Sequence, residues 1–465
     1  MKLKRSLPFL AGLALFAAAI VPSATPATQP LAAQLDGWVA HLVAPGDRME
    51  IGYAVQNAGA AAPTATLYVR NDLRGSFQPV QMTYGRSKEL RAVVPGALIR
   101  GRRLLYYAVI RDPQTGRSVT VPDGGARSPQ VAWVLERPVV VRLGTHRFGT
   151  TRAPEAVVAR ARPEQVGWQN EGDPSGPDTF LVDRNRSIWL HDEVNHRVLV
   201  WRTGRPDAAP RSVTLPFLNA EDIALGPADT LYFEREDPTL RRFFLYRMSL
   251  ATGKVLWRTE LRTGEVGGNT ALRVGPDGTL YAIAADLGWV PVATPAGRPL
   301  SAAQQRQRAE YQPVGRGLHL LTESYAPYAG DSGTHPAPPP DVRVALIDRA
   351  GRLVRAWRIV SRTAIGLTGY YTPALVGGDP VVVLDATAQG GGACGGPNQP
   401  NCSFKWEYEV LRLGSTGAKA RFSLRRTVFG DNLFADLRVG PDGNLYQLGS
   451  SPTTGIVVSR YSLQS

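Results

Sequence analysis

Cysteine is nearly absent from this chain of 465 residues, which contains only Cys394 and Cys402. The two thiols flank a segment rich in Gly, Pro and Asn. In an oxidising compartment they most simply form one disulfide that staples a loop between two strands. Zinc binding is the weaker alternative, because two thiols with no nearby His fall short of four ligands.

Lysine is also scarce, with six Lys against 47 Arg in a chain of net charge +14. The arginines are scattered, and there is no basic run of the kind that forms a nucleic-acid-binding arm. The sequence therefore predicts no nucleic-acid partner. The excess positive charge favours a loose affinity for anionic polymers of the cell envelope.

Long apolar runs are missing beyond the N-terminus. Met1–Arg5 is basic, Leu7–Val21 is apolar, and small residues lead to Ala27. This order is typical of a secretory signal peptide over residues 1–27. The alternative is an uncleaved anchor, but the run is short for a bilayer. We therefore expect an exported protein, extracellular or in the cell envelope, with no transmembrane segment after signal removal.

No long helical pattern competes with the strand-like runs that begin after residue 35. Six short runs rich in β-formers are separated by turn residues, at the spacing of an antiparallel β-sandwich over residues 36–135. They are Met49–Gln56, Ala65–Arg70, Phe77–Tyr84, Glu89–Val94, Arg102–Arg111 and Ser118–Val121. The last two resemble the closing hairpin of immunoglobulin-like or fibronectin type III modules. That resemblance implies a spacer or adhesion unit.

An internal repeat is the strongest signal in the sequence. Residues 222–232, 271–281 and 436–446 align without gaps, and looser copies occupy 180–189 and 374–382. Each copy predicts a strand, a tight turn made by Pro and Gly, and a second strand. With the strands that follow, the copies predict an all-β protein whose residues 136–465 form a five- or six-bladed β-propeller.

Two further features complete the predicted propeller. The last repeat unit shows three strands, so we expect Val139–Leu143 to supply its fourth strand and close the ring. An insertion at about 287–340 departs from the repeat, and Ser301 with Gln304 forms a capping box that predicts a short helix within it.

Two blades resemble known repeat families. Residues 188–201, with the step Asn195-His196-Arg197-Val198, closely resemble an NHL repeat. Residues 245–257, ending Thr-Gly-Lys-Val-Leu-Trp, look like a PQQ-type propeller repeat. PQQ dehydrogenases typically carry vicinal cysteines and eight blades, and neither feature is visible here. The resemblance therefore supports the propeller and argues against PQQ as a cofactor.

His191 and Asp192 are weak metal-ligand candidates. The helical zinc signature places two His four residues apart on one face, whereas His191 and His196 are five apart in a hairpin. The NHL pattern itself has a His at the position of His196, so structural hairpin residues are the favoured interpretation. The sequence supports no cofactor and neither a calcium nor a zinc site.

The repeat alignment points to four charged candidates for ligand binding. Apolar residues alternate along the first strand of each repeat, and the intervening positions include Asp222, Arg273, Asp436 and Arg438. First strands surround the channel of a propeller, so these charges are predicted to converge on an ion or an anionic ligand. The alternative is Asp–Arg pairing between neighbouring blades, since buried charges are costly unless paired.

The favoured function is a secreted or cell-surface binding protein whose propeller face binds a protein, peptide or glycan. An apolar or aromatic patch, with Trp289, Tyr325 and Tyr328 as candidates, would fit that function. The alternative is an extracellular propeller enzyme, a lyase or metal-dependent hydrolase, with titratable residues at the channel mouth. Catalytic residues are not predicted, and fold alone cannot choose between these functions.

Overall fold

The structure is a computed structural model, and it describes most of the chain beyond residue 30. The described residues are 31–35, 41–56, 58, 61–72, 75–85, 89–169, 175–216, 220–237, 239–240, 242–261, 271–284, 288–301, 304, 312–325, 341–367, 374–389, 404–427 and 435–464. The predicted signal peptide, Tyr328, Cys394 and Cys402 lie outside these residues.

The described residues of the first part of the chain form ten strands. They are β1 Ala32–Leu35, β2 Leu42–Val43, β3 Met49–Gln56, β4 Thr64–Asn71, β5 Gln78–Gln81, β6 Thr83–Tyr84, β7 Glu89–Val94, β8 Arg103–Arg111, β9 Ser118–Val121 and β10 Gln130–Val134. Three short 3-10 helices occur at Gly96–Leu98, Gly125–Arg127 and Pro163–Gln165.

The remainder contributes twenty-five described strands. The first ten are β11 Val139–Gly144, β12 Ala156–Ala161, β13 Thr179–Val182, β14 Ile188–Asp192, β15 Arg197–Trp201, β16 Arg211–Thr214, β17 Ala220–Gly226, β18 Thr230–Asp237, β19 Arg242–Ser249 and β20 Val255–Leu261. Five more are β21 Leu272–Val274, β22 Leu280–Ala284, β23 Gly288–Ala293, β24 Gln312–Gly315 and β25 Leu318–Tyr325.

The chain then continues to its last described strand. These elements are β26 Asp341–Asp348, β27 Leu353–Ser361, β28 Ala364–Leu367, β29 Ala374–Val376, β30 Asp379–Gln389, β31 Phe404–Leu413, β32 Ala418–Arg425, β33 Leu437–Val439, β34 Leu445–Ser451 and β35 Gly455–Tyr461. The protein is all-β, as predicted.

Strands β1 to β10 form two sheets around one hydrophobic core. Sheet N1 has the order β1-β3-β7-β6, and sheet N2 has the order β2-β10-β8-β4-β5 with β9 paired to β8. The predicted bounds of β3, β7 and β9 are confirmed, and β8 pairs with β9 as expected. The predicted run Phe77–Tyr84 is two strands. β1, which precedes the predicted start of this unit, pairs antiparallel with β3.

Six further sheets, named S1 to S6, follow. S1 is β13 to β16, S2 is β17 to β20, and S3 is β21 to β23. S4 has the order β11-β27-β26-β25-β24, S5 contains β28 to β32, and S6 has the order β12-β35-β34-β33. The five sequence repeats are antiparallel hairpins in five of these sheets, which confirms the predicted strand-turn-strand units.

Each of the three closely similar repeats has a glycine followed six residues later by a tyrosine, and the packing of these two residues explains why both recur. A Cβ atom added to Gly275 would lie 2.8 Å from a ring carbon of Tyr281, and one on Gly440 would lie 2.6 Å from the ring of Tyr446. Gly226 and Tyr232 stand in the same relation at 2.8 Å. The tyrosine ring therefore covers the glycine backbone, and any side chain at the glycine would displace the ring.

Shared hydrophobic cores join neighbouring sheets in the order S3, S2, S1, S6, S5, S4. The S6–S1 core, for example, contains Leu448 and Ile456 from one sheet and Phe180 and Trp201 from the other. A Cβ on Gly315 of S4 would lie 3.4 Å from Pro276 in the β21–β22 turn of S3. The five shared cores therefore join the six sheets in sequence, and Gly315 of S4 lies close to the β21–β22 turn of S3.

The prediction that Val139–Leu143 completes the last sheet is wrong. β11, which contains these residues, pairs in parallel with β27 and forms the edge of S4. The fourth strand of S6 comes instead from β12, which pairs antiparallel with β35. An N-terminal strand does complete the C-terminal sheet, but it is the next one along the chain. Strand propensity does not distinguish the two, because both runs are short and contain consecutive Val residues.

The predicted insertion at 287–340 contains strands of two sheets. β23 belongs to S3, and β24 and β25 belong to S4. Ser301 and Gln304 make the reciprocal hydrogen bonds of a capping box, since the Ser301 N–H donates to Gln304 Oε1 and the Gln304 N–H donates to Ser301 Oγ. The residues that would continue the helix lie outside the described part of the chain.

Sheet S4 also carries the N-terminal unit. Leu42, Trp133 and Leu135 share a small core with Ala345 and Ile347 of S4.

Polar contacts reinforce this interface. Arg343 of S4 is fully buried, pairs with Asp47 and Asp341, and donates to the carbonyl of Leu42. Removing one partner of a buried ion pair is strongly destabilising, so these contacts hold the two units together firmly.

Substituting Gly440 with Ala tests the glycine–tyrosine packing. The new methyl group would overlap the ring of Tyr446, so we expect the free energy of unfolding to fall by about 1–3 kcal/mol. Gly366→Ala is the matched control, because its Cβ would meet no atom closer than 3.9 Å. Denaturant unfolding of both variants checks this, and equal stability would contradict the packing.

Candidate functional site

A cavity of about 1060 Å³ lies among the terminal strands of five sheets. The side chains that line it from S1, S2, S3, S5 and S6 include Leu181, Ala224, Arg273, Ala374 and Arg438. The turns that follow these strands form its rim, including the Gly-Pro steps of the repeats. The sequence repeat thus builds a concave site from the same position of several hairpins.

Strand alternation explains which side chains reach the cavity, since successive side chains point to opposite faces. One set is packed into the cores between the sheets: Phe180, Ile223, Leu272 and Leu437. The following residues line the cavity: Leu181, Ala224, Arg273 and Arg438. The separation is incomplete, because Leu272 and Leu437 also line the cavity and Ala224 also belongs to the S2–S3 core.

Arginine dominates the charge of the cavity. Its described lining contains four arginines and two aspartates: Arg184, Arg211, Arg273, Arg438, Asp183 and Asp229. Asp183 is occupied by its own turn, because it accepts hydrogen bonds from the backbone N–H groups of Asn185 and Ser187 and from the Trp189 indole. The net charge of the lining is positive, so the cavity attracts anions.

Asp222 links four sheets at the start of β17. It is fully buried and accepts hydrogen bonds from the Thr179 hydroxyl of S1 at 2.9 Å and from the Leu272 N–H of S3 at 2.8 Å. Arg438 of S6 donates to the same carboxylate at 3.3 Å and to the Thr179 hydroxyl at 3.0 Å. The carboxylate therefore joins S2 to S1, S3 and S6.

The four predicted channel residues thus have different roles. Arg438 pairs with Asp222 but across an intervening sheet, whereas the sequence interpretation considered pairing between neighbouring units. Arg273 is half-buried and lines the cavity. Asp436 is fully buried and accepts a hydrogen bond from the hydroxyl of Tyr408 in S5 at 2.7 Å. Burial raises the pKa of Asp436 to about 7.

A second buried pair lies beside Thr179, at the end of β13 away from the cavity rim. His191 Nδ1 and Asp178 Oδ1 are 3.0 Å apart, and both side chains are buried. Burial raises the pKa of Asp178 to about 7, although the nearby His191 opposes the shift. The pKa of His191 is also raised, because the attraction of Asp178 and other carboxylates outweighs its burial.

Asp192 is held by its own hairpin. Its carboxylate accepts hydrogen bonds from the Gly167 N–H, the Asn195 amide and the Arg197 guanidinium. Within the described residues, no group of three or more His, Cys, Asp or Glu could hold a metal ion.

The predicted aromatic patch is not assembled at the cavity. Trp289 is half-buried on β23, at the end of S3 opposite β21, and is not among the lining residues. Tyr325 ends β25, and Tyr328 lies outside the described residues.

Several site residues were missed from the sequence. In the repeat alignment, Thr179 occupies the position equivalent to Asp222 and Asp436. Asp178 is the residue before Thr179, so the alignment did indicate that this part of the strand is functionally interesting. Arg184 and Arg211 lie outside the repeated strand positions and carried no signal.

His146 was also missed. It lies between two carboxylates of β31, with its ring nitrogens 2.9 Å from Glu407 and 2.7 Å from Glu409. It is buried and fixes the segment between β11 and β12 against S5.

Comparison with known proteins gives no assignment: no protein-family model and no curated protein matches this chain. The NHL-like and PQQ-like resemblances therefore stay predictions. Among the described residues, no helix has the length and apolarity to cross a membrane.

The raised pKa of Asp436 predicts a pH dependence of stability. Between about pH 4 and pH 7 the folded protein holds a proton on this carboxyl that the unfolded chain has lost, so the free energy of unfolding falls as the pH rises. We expect Asp436→Asn to remove on the order of 3 kcal/mol of this fall.

Denaturant titrations at several pH values check this prediction. Asp348→Asn is the control, because hydrogen bonds from the Arg352 and Ala350 backbone hold the pKa of that exposed carboxyl below its usual value. It should leave the fall between pH 4 and pH 7 in place. Identical pH profiles for wild type and Asp436→Asn would show that Asp436 is ionised throughout.

Proposed function

We propose that sheets S1 to S6 are the blades of a six-bladed β-propeller and that N1 and N2 form an immunoglobulin-like sandwich. Three observations support the propeller. The repeats are hairpins in five different sheets, neighbouring sheets share cores or contact each other, and an N-terminal strand completes S6. A strand exchanged in this way removes an exposed sheet edge, as ring closure requires.

We further propose that the protein is exported and binds an anionic group of a cell-envelope glycan in the central cavity. The observation that carries this proposal is the lining of four arginines, of which Arg438 is paired with Asp222, against two aspartates. Arginine binds carboxylate and phosphate groups through charge-assisted hydrogen bonds. A cavity of this size accommodates one sugar unit or a short oligomer.

The shape of the cavity adds to this proposal. Leu181, Leu225 and Val439 give it apolar walls beside the arginines. Sugar rings present both apolar faces and polar edges, so such a wall suits a charged saccharide better than a bare ion. The rigidly attached N-terminal unit would then present the propeller at a fixed orientation.

An enzymatic function is the second candidate. One observation favours it: Asp178, His191, Asp436 and Tyr408 are titratable, buried and shifted in pKa in adjoining sheets, near the ends of the inner strands away from the cavity rim. Perturbed pKa values cluster at functional sites, although ion-pair networks also cause them. The binding function is favoured because the open cavity lies at the arginine end.

Replacing Arg273 with Gln tests the binding proposal. Loss of a hydrogen bond to a charged group costs about 1.5–3 kcal/mol, so we expect affinity for oligogalacturonate or a glycerol phosphate oligomer to fall roughly ten- to hundredfold. The fold should persist, because Arg273 lines a cavity rather than a core. Titration calorimetry at low and high salt measures the effect, and wild-type binding should weaken as salt rises.

Arg352→Gln is the matched control, since that arginine is largely exposed on S4 and pairs with Asp348. It should bind as the wild type does. The two anionic oligomers distinguish a carboxylate ligand from a phosphate ligand. Binding of an uncharged dextran oligomer with equal affinity, or binding unaffected by Arg273→Gln, would refute the proposal.

A further inference from the structure

A second cavity, of about 650 Å³, lies at the edges of S4 and S5. Its walls come from the end of β11, from the segment that joins β11 to β12, and from β31 and β32. β11 is the edge strand of S4, and β32 is the edge strand of S5. This edge cavity and the central cavity share no lining residue, so they are separate sites.

The lining of the edge cavity is mainly polar and rich in hydrogen-bond donors. Three arginines line it, Arg147, Arg152 and Arg421, together with four residues that carry hydroxyl groups. Of its apolar lining, the Phe422 ring is covered by the Arg152 guanidinium, which lies 4.7 Å from the ring centre. Little apolar surface is left for a sugar ring or an acyl chain. The cavity therefore suits a compact and strongly polar ligand.

The carboxylates beside the edge cavity are already occupied. Glu407 accepts a hydrogen bond from the Gly149 N–H at 2.7 Å, and its other oxygen lies 2.9 Å from His146 Nε2. Glu409 accepts a hydrogen bond from Arg421 Nε, and its other oxygen lies 2.7 Å from His146 Nδ1. Because each of the four oxygens has a partner within the protein, these acids hold the cavity together and do not require a bound cation.

The segment between β11 and β12 is held in place by its backbone. The His146 N–H donates to the Thr363 hydroxyl at 2.8 Å, and the Arg152 N–H donates to the Ser423 carbonyl at 2.8 Å. With the contacts of Glu407, these bonds fix both ends of the segment and its middle. A ligand that binds to a site fixed in this way loses less affinity to the ordering of the protein.

Two of the three arginines have guanidinium groups available for a ligand. Arg147 is exposed, and its side chain has no hydrogen bond or ion pair within the part of the chain that the structure describes. Arg421 pairs with Glu409 through Nε, which leaves its two Nη groups, and its side chain is 39% exposed. Arg152, in contrast, uses an Nη group to pair with Glu155. Arg147 and Arg421 are therefore the arginines that a ligand would contact.

We propose that the edge cavity binds a phosphate group. A phosphate group presents at least three strong acceptor oxygens and a negative charge. Arg147 and Arg421 supply charge-assisted N–H donors to it, and the exposed hydroxyls of Thr145 and Thr151 supply O–H donors. A carboxylate offers only two oxygens and would use fewer of these donors. The number of donors therefore favours phosphate.

Titration calorimetry of the full chain with inorganic phosphate tests this site. Arg147→Gln should weaken binding at least tenfold, because it removes a hydrogen bond to a charged group. The variant should fold normally, since Arg147 is exposed and contributes to no core. Arg142→Gln is the matched control: Arg142 is also an exposed arginine, but it lies on β11 and does not line the cavity. It should bind phosphate as the wild type does.

The central cavity also attracts anions, and Arg273→Gln separates the two sites. This variant should keep the phosphate binding that Arg147→Gln removes, so failure of either site is recognised on its own. A glycerol phosphate oligomer, titrated into Arg273→Gln, identifies the source of the phosphate. Binding of the oligomer indicates a phosphate carried by a polymer, and binding of inorganic phosphate alone indicates the free ion.

Three results would overturn the proposal. The first is that neither phosphate ligand binds to the Arg273→Gln protein. The second is that Arg147→Gln has no effect on phosphate binding, or no larger effect than Arg142→Gln. The third is that acetate binds as tightly as phosphate, because the cavity would then recognise any small anion.

Discussion

The carboxylate of Asp222 is the interaction on which the arrangement of the inner strands depends. It is fully buried, and its partners come from S1, S3 and S6 while it belongs to S2. Hydrophobic cores hold neighbouring sheets together in pairs, but they are non-directional. A carboxylate with several fixed donors specifies the distance and register between four sheets at once.

The Asp222 carboxylate also lies between two groups of charged residues. Arg438 reaches it from the cavity side, and Arg184, Arg211 and Arg273 also line the cavity. Beyond it, Asp178 and Asp436 are buried with raised pKa values. The cavity side of Asp222 is therefore the side suited to anions.

Local features of the fold were predictable from the sequence. The bounds of β3, β7 and β9 follow from short β-forming runs between turn residues, and the repeat hairpins follow from the Gly-Pro turns. The repeat alignment shows that Gly440 and Tyr446 recur six residues apart, but it does not show that the two residues pack against each other. The turn glycines Gly278 and Gly443 have positive φ, whereas Gly440 is required for space under the tyrosine ring.

Long-range pairing was not predictable in the same way. β11 and β12 have similar composition, and only the packed structure decides that β12 completes S6 while β11 joins S4 in parallel. The contact of Arg438 with Asp222 depends on how S6 and S2 are placed on either side of S1, which no spacing in the sequence encodes. Asp178 and His191 are thirteen residues apart and meet because β13 and β14 form a hairpin in a particular register.

The free energy of unfolding of Asp222→Ala tests the central claim most directly. The substitution leaves Arg438, the Thr179 hydroxyl and the Leu272 N–H without their buried acceptor, so the account predicts a loss of about 3–5 kcal/mol. Asp207→Ala, which removes an exposed partner of Arg160, should cost less than about 1 kcal/mol. A loss for Asp222→Ala no larger than that of the control would contradict the account.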